Sequence, residues 1–108
     1  MSGGTDLLPE LAHSSGRPVA LVDLSAIAGG LEITDTDHTL GLAGGVAHNQ
    51  GVTDARIRAD ALPLAQACLE IGSPQLRTRA TIAGNLATAS PANDTISALM
   101  ALRASVGL

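Results

Sequence analysis

The chain contains no Phe, Tyr or Trp, so any core it builds has to be filled by Leu, Ile, Val and Ala. Aromatic side chains usually contribute the largest buried areas in a domain. Without them, 108 residues make one domain at most, with a modest core and marginal stability. The formal net charge of −4 argues against nucleic acid and anionic membrane as partners, since both call for a basic face. An anionic ligand must then be bound locally. All six basic residues are Arg, and Arg77 and Arg79 stand just before a glycine turn where a cation could balance ligand charge. The single cysteine, Cys68, allows neither an internal disulfide nor the four ligands of an iron–sulfur cluster, so any cluster belongs to a partner. No signal-peptide pattern opens the chain and no apolar run approaches the roughly 18 residues of a membrane span; a cytoplasmic protein is the expectation.

Along the chain, Asp6 to Leu11 has the character of a short helix stopped by Gly16 and Pro18. The near-continuous apolar run Val19–Leu24 predicts a buried strand. Leu31–Thr34 and Thr39–Ala43 alternate partly, and the polar stretch Asp35–His38 between them predicts a hairpin turn. From Ala47 the pattern becomes helical, with Asp54/Arg58 and Arg56/Asp60 as i,i+4 pairs on a solvated face. A second helix spans Leu62 to Ile71 and stops at Gly72 and Pro74. One further turn is expected over Gln75–Arg79. Ser90-Pro91 signals the start of a last helix whose apolar face carries Ile96, Leu99, Met100 and Arg103, and Ala104–Leu108 starts a strand. No repeat or low-complexity linker interrupts the chain.

Two small-residue turns carry the chemical information. Thr81-Ile82-Ala83-Gly84-Asn85 sets a glycine, with no Cβ to block a ligand, between Thr and Asn side chains that can hydrogen-bond. Gly3-Gly4-Thr5-Asp6 is a second such turn. Two glycine turns can grip a diphosphate from two sides through backbone N–H groups. On spacing alone, an ordinary glycine turn and a frayed chain start remain open readings.

These turns and the words around them resemble the FAD-binding domain of molybdenum hydroxylases, the medium-subunit type of the xanthine dehydrogenase and carbon monoxide dehydrogenase family. The matching stretches are GGTDLL (3–8), LVDLS (21–25), IGSPQLRTRATIAGNLATASPAND (71–94) and ISALMALRA (96–104), in the family's order and across essentially the whole chain. The resemblance implies an α+β fold, a partial FAD-binding domain of the PCMH type over residues 1–108. It implies that the front β-α-β unit and the C-terminal remainder are absent. Carried over residue by residue, Gly3, Gly4, Thr5, Asp6 and Leu7 match one diphosphate loop. Thr81, Ile82, Ala83, Gly84 and Asn85 match the other, T-x-G-G-N, from which Ala83 departs. That methyl is tolerable at negative φ and costly at positive φ. Asp94 matches an aspartate that contacts the flavin; its alternative is a helix-capping role. Ile71 matches an apolar position lining the flavin site; its alternative is plain core.

By the same resemblance the cofactor is noncovalent FAD, because no matched Cys or His stands at an attachment point. The molybdenum cofactor and 2Fe-2S clusters would lie on partner subunits, an iron–sulfur subunit and a molybdenum-cofactor subunit. Electrons would pass from the clusters through FAD to NAD or another acceptor, with no catalytic residue needed in this chain. The competing readings are a non-catalytic truncated remnant and a small stand-alone module for an anion or nucleotide. His13, His38 and His48 have no metal-ligand spacing and are taken as surface residues. Cys68 is expected to be a small core residue, and Asp35 and Asp37 exposed turn residues.

Overall fold

A computed structural model describes residues 1–14 and 20–108. Helix α4 (Leu62–Glu70) is its centre. Leu64, Ala65 and Cys68 recur at helical spacing and are buried, so one face of α4 enters the core. Against that face pack α2 (His48–Thr53), α3 (Ala55–Asp60) and α7 (Asp94–Ala101). Val46, Ile57, Ala61 and Ile82 complete the buried cluster, with Ile33, Leu40, Leu42, Val52, Leu99 and Leu102 around it. Burying one such aliphatic side chain contributes about 1.5–3 kcal/mol, and apart from Cys68 the cluster is aliphatic, with no aromatic residue in the chain to fill it. Helix α2 comes this close to α4 because residue 51 is glycine: a Cβ there would lie 2.7 Å from Cys68 Sγ.

The hairpin is β1 (Ile33–Thr36) against β2 (Thr39–Leu42), antiparallel, with Ile33 opposite Leu42 and Thr36 opposite Thr39. Its tip is narrower than the expected Asp35–His38: Asp35 and Thr36 are strand residues, and Asp35 and Asp37 are exposed. The remaining elements are α1 (Leu7–His13), α5 (Pro74–Arg77) and α6 (Ile82–Thr88). Pro63 and Pro74 each sit within the first two positions of a helix, where a missing N–H costs nothing. Mixed helix and strand agrees with the α+β expectation.

Several local expectations are corrected. Residues 20–24 form no strand, and Val22 is 70 % exposed. Among the described residues their long-range backbone partner is Met1, whose amino group donates to Val22 O and whose carbonyl accepts from Leu24 N–H at 3.0 Å. Gly16, Pro18 and Val19 lie outside the described residues. Helix α7 starts at Asp94 rather than Ser90-Pro91, because Ser90 closes a turn instead, its carbonyl accepting from Asn93 N–H at 3.0 Å. The α7 face turned inward carries Thr95 and Ala98, while Met100 is 74 % exposed. Residues 104–108 form no strand.

The i,i+4 ion pairs do not form either: Asp54 lies outside the helix as the N-cap of α3, and Arg56 turns to Asp54 rather than to Asp60. Asp54 accepts from the N–H groups of Arg56 (2.9 Å) and Ile57 (3.3 Å) and pairs with the Arg56 guanidinium at 2.7 Å. Arg56 in turn donates to Ile33 O at 2.6 Å, fastening the hairpin to α3. The Arg56 hydrogen bond, then the two backbone N–H groups, hold the Asp54 carboxyl down from 3.8 to about 2. A carboxyl lowered in this way stabilises the fold above its unfolded value and loses that contribution as pH falls through its folded one. The melting temperature should therefore drop between about pH 4 and pH 2. Asp54→Asn, which keeps a capping oxygen, should flatten that limb. An unchanged acid limb in the variant would contradict the assignment.

Candidate functional site

A cleft of about 730 Å³ opens between the N-terminal glycine turn, the Gly44-Gly45 pair with the start of α2, the Ile71–Leu76 corner and the first turn of α6. Such a volume suits a small-molecule ligand. Exposed Leu24, Ile27 and Leu76 give it an apolar rim.

The first turn requires its glycines. Gly3 and Gly4 have φ of +72° and +76°, and a Cβ on Gly3 would fall 2.3 Å from Arg79 O. Any L-residue there would be strained and would clash. Gly4 N–H is bonded to Ser2 O at 2.9 Å and Gly4 O to Leu8 N–H at 3.0 Å. Among the described residues, the N–H groups of Thr5, Asp6 and Leu7 have no protein acceptor, which leaves backbone donors at the cleft for a ligand oxygen. The Asp6 carboxylate is committed elsewhere, accepting from the Thr88 hydroxyl at 3.0 Å and so tying this segment to α6.

The second turn is a helix start rather than a loop. Thr81, 5 % exposed, is the N-cap of α6, and its Oγ1 accepts from Gly84 N–H at 3.0 Å. That uses a lone pair of the hydroxyl and leaves its proton free to donate. Gly84 is not at positive φ. Glycine is favoured there because a Cβ would lie 2.8 Å from the capping Oγ1. Ala83 sits inside α6 with ordinary helical φ, so its departure from the family's glycine carries no backbone strain. Asn85 O accepts from Asn93 Nδ2 at 2.7 Å, and Asn85 Oδ1 accepts from the Thr95 hydroxyl. Asn85 thereby holds the start of α7.

Of the residues singled out in the sequence, Gly4, Thr5, Asp6, Leu7, Ile71, Thr81, Ala83, Gly84 and Asn85 share this one cleft. Three do not line it. Gly3 backs onto Arg79 O, Ile82 is buried in the core, and Asp94 is exposed in the first turn of α7. Ile71 is half-buried at the end of α4.

The expectation for Arg77 and Arg79 is overturned, since no Arg among the described residues lines the cleft. Arg77 Nη1 donates to the carbonyls of Leu69 (3.0 Å), Ile71 (3.1 Å) and Gly72 (3.2 Å), capping α4. Arg79 is exposed. An anion here meets backbone and hydroxyl donors, not a guanidinium.

His13 and His38 are exposed as expected, but His48 is not a surface residue: it is 1 % exposed and borders the cleft. Its Nδ1 lies 3.5 Å from Cys68 Sγ. Burial lowers the His48 pKa, opposed in part by the Asp6 charge, and burial pushes the Cys68 thiol up to about 12. The ring is therefore neutral and the thiol protonated at neutral pH. Among the described residues no group of three or more His, Cys, Asp or Glu could hold a metal ion. Sequence reasoning missed His48 and the Gly44-Gly45 pair. The only local signal is a third glycine doublet with a histidine shortly after it, GGVAH.

Residues 1–108 match the family described as the FAD binding domain in molybdopterin dehydrogenase. The chain is 34 % identical over 106 residues to the 6-hydroxypseudooxynicotine dehydrogenase complex subunit alpha of Paenarthrobacter nicotinovorans, covering 98 % of this chain and 36 % of that protein. It is 32 % identical over 108 residues to the nicotinate dehydrogenase FAD-subunit of Eubacterium barkeri, covering all of this chain and 36 % of the relative. The chain thus spans little more than a third of the length of these curated relatives. Among solved structures, quinoline 2-oxidoreductase from Pseudomonas putida 86 superposes with a TM-score of 0.75 at 30 % identity, over 81 % of this chain and 30 % of the other.

The strained first turn yields a stability test. Gly3→Ala should cost about 1–3 kcal/mol in urea unfolding, from the left-handed backbone and the contact with Arg79 O. Gly44→Ala, where an added Cβ meets nothing within 4 Å, should stay within about 0.5 kcal/mol of wild type.

Proposed function

The chain belongs to the family of FAD binding domains in molybdopterin dehydrogenase, and from that membership we propose that its cleft holds the diphosphate of a noncovalently bound FAD. The observation that carries this reading is the convergence of both glycine turns on one cleft with uncommitted donors. These are the N–H groups of Thr5, Asp6 and Leu7 and the hydroxyl proton of Thr81. The residues fit the group, because several neutral donors in a half-enclosed, apolar-rimmed space can stabilise an anion without a cationic side chain.

Each part of the chain then has a task. Gly3 and Gly4 let the first turn fold tightly enough to present its donors. Thr81 and Gly84 fix the start of α6 beside it. Ile71, Leu76, Leu24 and Ile27 exclude water from the ligand's apolar portions. Asn85 positions the start of α7, which carries Asp94, and Asp94 would meet the flavin from that segment. Bound FAD supplies the redox chemistry, and the protein supplies binding, orientation and electrostatics.

In the whole protein this domain would serve as the flavin part of a molybdenum hydroxylase. It would relay electrons from 2Fe-2S clusters on an iron–sulfur subunit to NAD or another acceptor, with the molybdenum cofactor on a further subunit. Support comes from the relatives, one named as an FAD-subunit and another as a subunit of a dehydrogenase complex. A cytoplasmic setting accords with this role. Among the described residues no helix is long and apolar enough to cross a membrane.

Flavin absorbance measures this reading directly, since no amino-acid side chain absorbs in the flavin's visible band. Acid precipitation should release the yellow colour into the supernatant; colour retained in the pellet would mean covalent attachment. Gly84→Val, whose side chain would collide with the Thr81 hydroxyl, should weaken FAD binding about 10- to 150-fold, the range of one hydrogen bond to a charged oxygen. Asp35→Ala, on the exposed hairpin, should leave affinity unchanged. Wild-type affinity in the Gly84 variant would refute the site.

A further inference from the structure

The buried histidine is the polar group in the cleft whose chemistry the two turns leave unused. His48 is the first residue of α2 and is 1 % exposed. Its main chain is bonded into the fold, His48 N–H to Ala80 O at 3.0 Å. Its ring has one protein partner among the described residues, Cys68 Sγ, 3.5 Å from Nδ1. Nε2 has none, and yet it is not a sealed, unsatisfied atom of the core. The space that His48 borders is the cleft, and Nε2 is the ring nitrogen left without a protein partner on that side of the fold among the described residues.

The tautomer follows from the partner. An imidazole nitrogen is a good acceptor, whereas sulfur is a weak one, so the pair is satisfied best as S–H donating to Nδ1. That leaves the single imidazole proton on Nε2. Burial keeps the ring neutral and the thiol protonated, which preserves this arrangement at neutral pH. The position is equally determined. An isolated antiparallel bridge joins Ala47 to Thr81, placing the histidine next to the α6 cap, and the Asp6 charge is near enough to act on its ring. His48 therefore stands between the two donor turns.

We propose that His48 is a further cofactor-binding residue, its Nε2–H donating a hydrogen bond to a diphosphate oxygen of bound FAD. This rests on the reading of the cleft as an FAD site. Cys68 is then a positioning residue: its thiol selects the tautomer that can donate.

The experiment is FAD titration of the purified protein and of two variants, with circular dichroism as the check on folding. His48→Leu keeps bulk and removes the donor, and its affinity should fall about 10- to 150-fold, the range of one hydrogen bond to a charged oxygen. His48→Gln, which restores an N–H near the Nε2 position, should recover affinity to within about fivefold of wild type. Equal affinity in His48→Leu and wild type would overturn the proposal, as would an equal loss in both variants, which would mean a packing role. Failure of wild type to bind FAD at all would overturn the FAD reading itself, and this inference with it. Nitrogen NMR of the histidine-labelled wild type tests the same point without substitution. The proton should reside on Nε2, with its signal shifted and its exchange slowed by FAD. A proton on Nδ1, or a signal indifferent to FAD, would refute the assignment.

Discussion

Two backbone hydrogen bonds, His48 N–H to Ala80 O and Ile82 N–H to Val46 O, both 3.0 Å, hold the molecule in its working arrangement. They join the entry to α2 with the entry to α6, segments far apart in the chain, across the bridge between Ala47 and Thr81. Val46 and Ile82 on either side of it go into the core, while Thr81 and His48 border the cleft. Core and site are thus two faces of one short junction. Any change that loosens the packing of Val46 or Ile82 displaces the ligand donors as well.

An overall negative chain that is to hold a diphosphate, as proposed, needs a local solution, and the cleft offers one without a side-chain cation. No guanidinium among the described residues lines it: Arg77 caps the carbonyls at the end of α4, Arg56 ties Asp54 to the hairpin, and Arg79 is exposed. What remains are main-chain N–H groups, a hydroxyl and a neutral imidazole. Donors of this kind are fixed by the fold, so they need little ordering when a ligand arrives, and they recognise oxygen geometry more than net charge.

The legible parts of the sequence were those decided locally. The hairpin announced itself by alternation around a polar tip, and α4 by its apolar spacing between Pro63 and Gly72. The residues of both glycine turns were identifiable, and nine of the twelve proposed positions meet in the cleft. What escaped was set by tertiary contact. Residues 20–24 have the composition of a strand but among the described residues pair with no strand, meeting Met1 instead, and composition carries no information about partners. Asp54 matched a helical ion-pair pattern, although an Asp just ahead of a helical run is also a capping pattern. His48 looked like a surface residue because the thiol that buries it stands 20 positions later. The Thr81 turn was read as a loop although Thr followed by a helical run is also a capping pattern; the glycine drew attention away from the cap.

The closeness of Gly51 to Cys68 has a bearing on how this molecule can be observed. The thiol is fully enclosed between α2 and α4 and stays protonated until strongly alkaline pH, so alkylating reagents find no nucleophile while the seam is shut. It is also the single cysteine of a chain with no fluorophore of its own. Its labelling rate is therefore a clock for the transient parting of the two helices, and, because His48 leans on the same sulfur, for the moments when the cleft loses its wall.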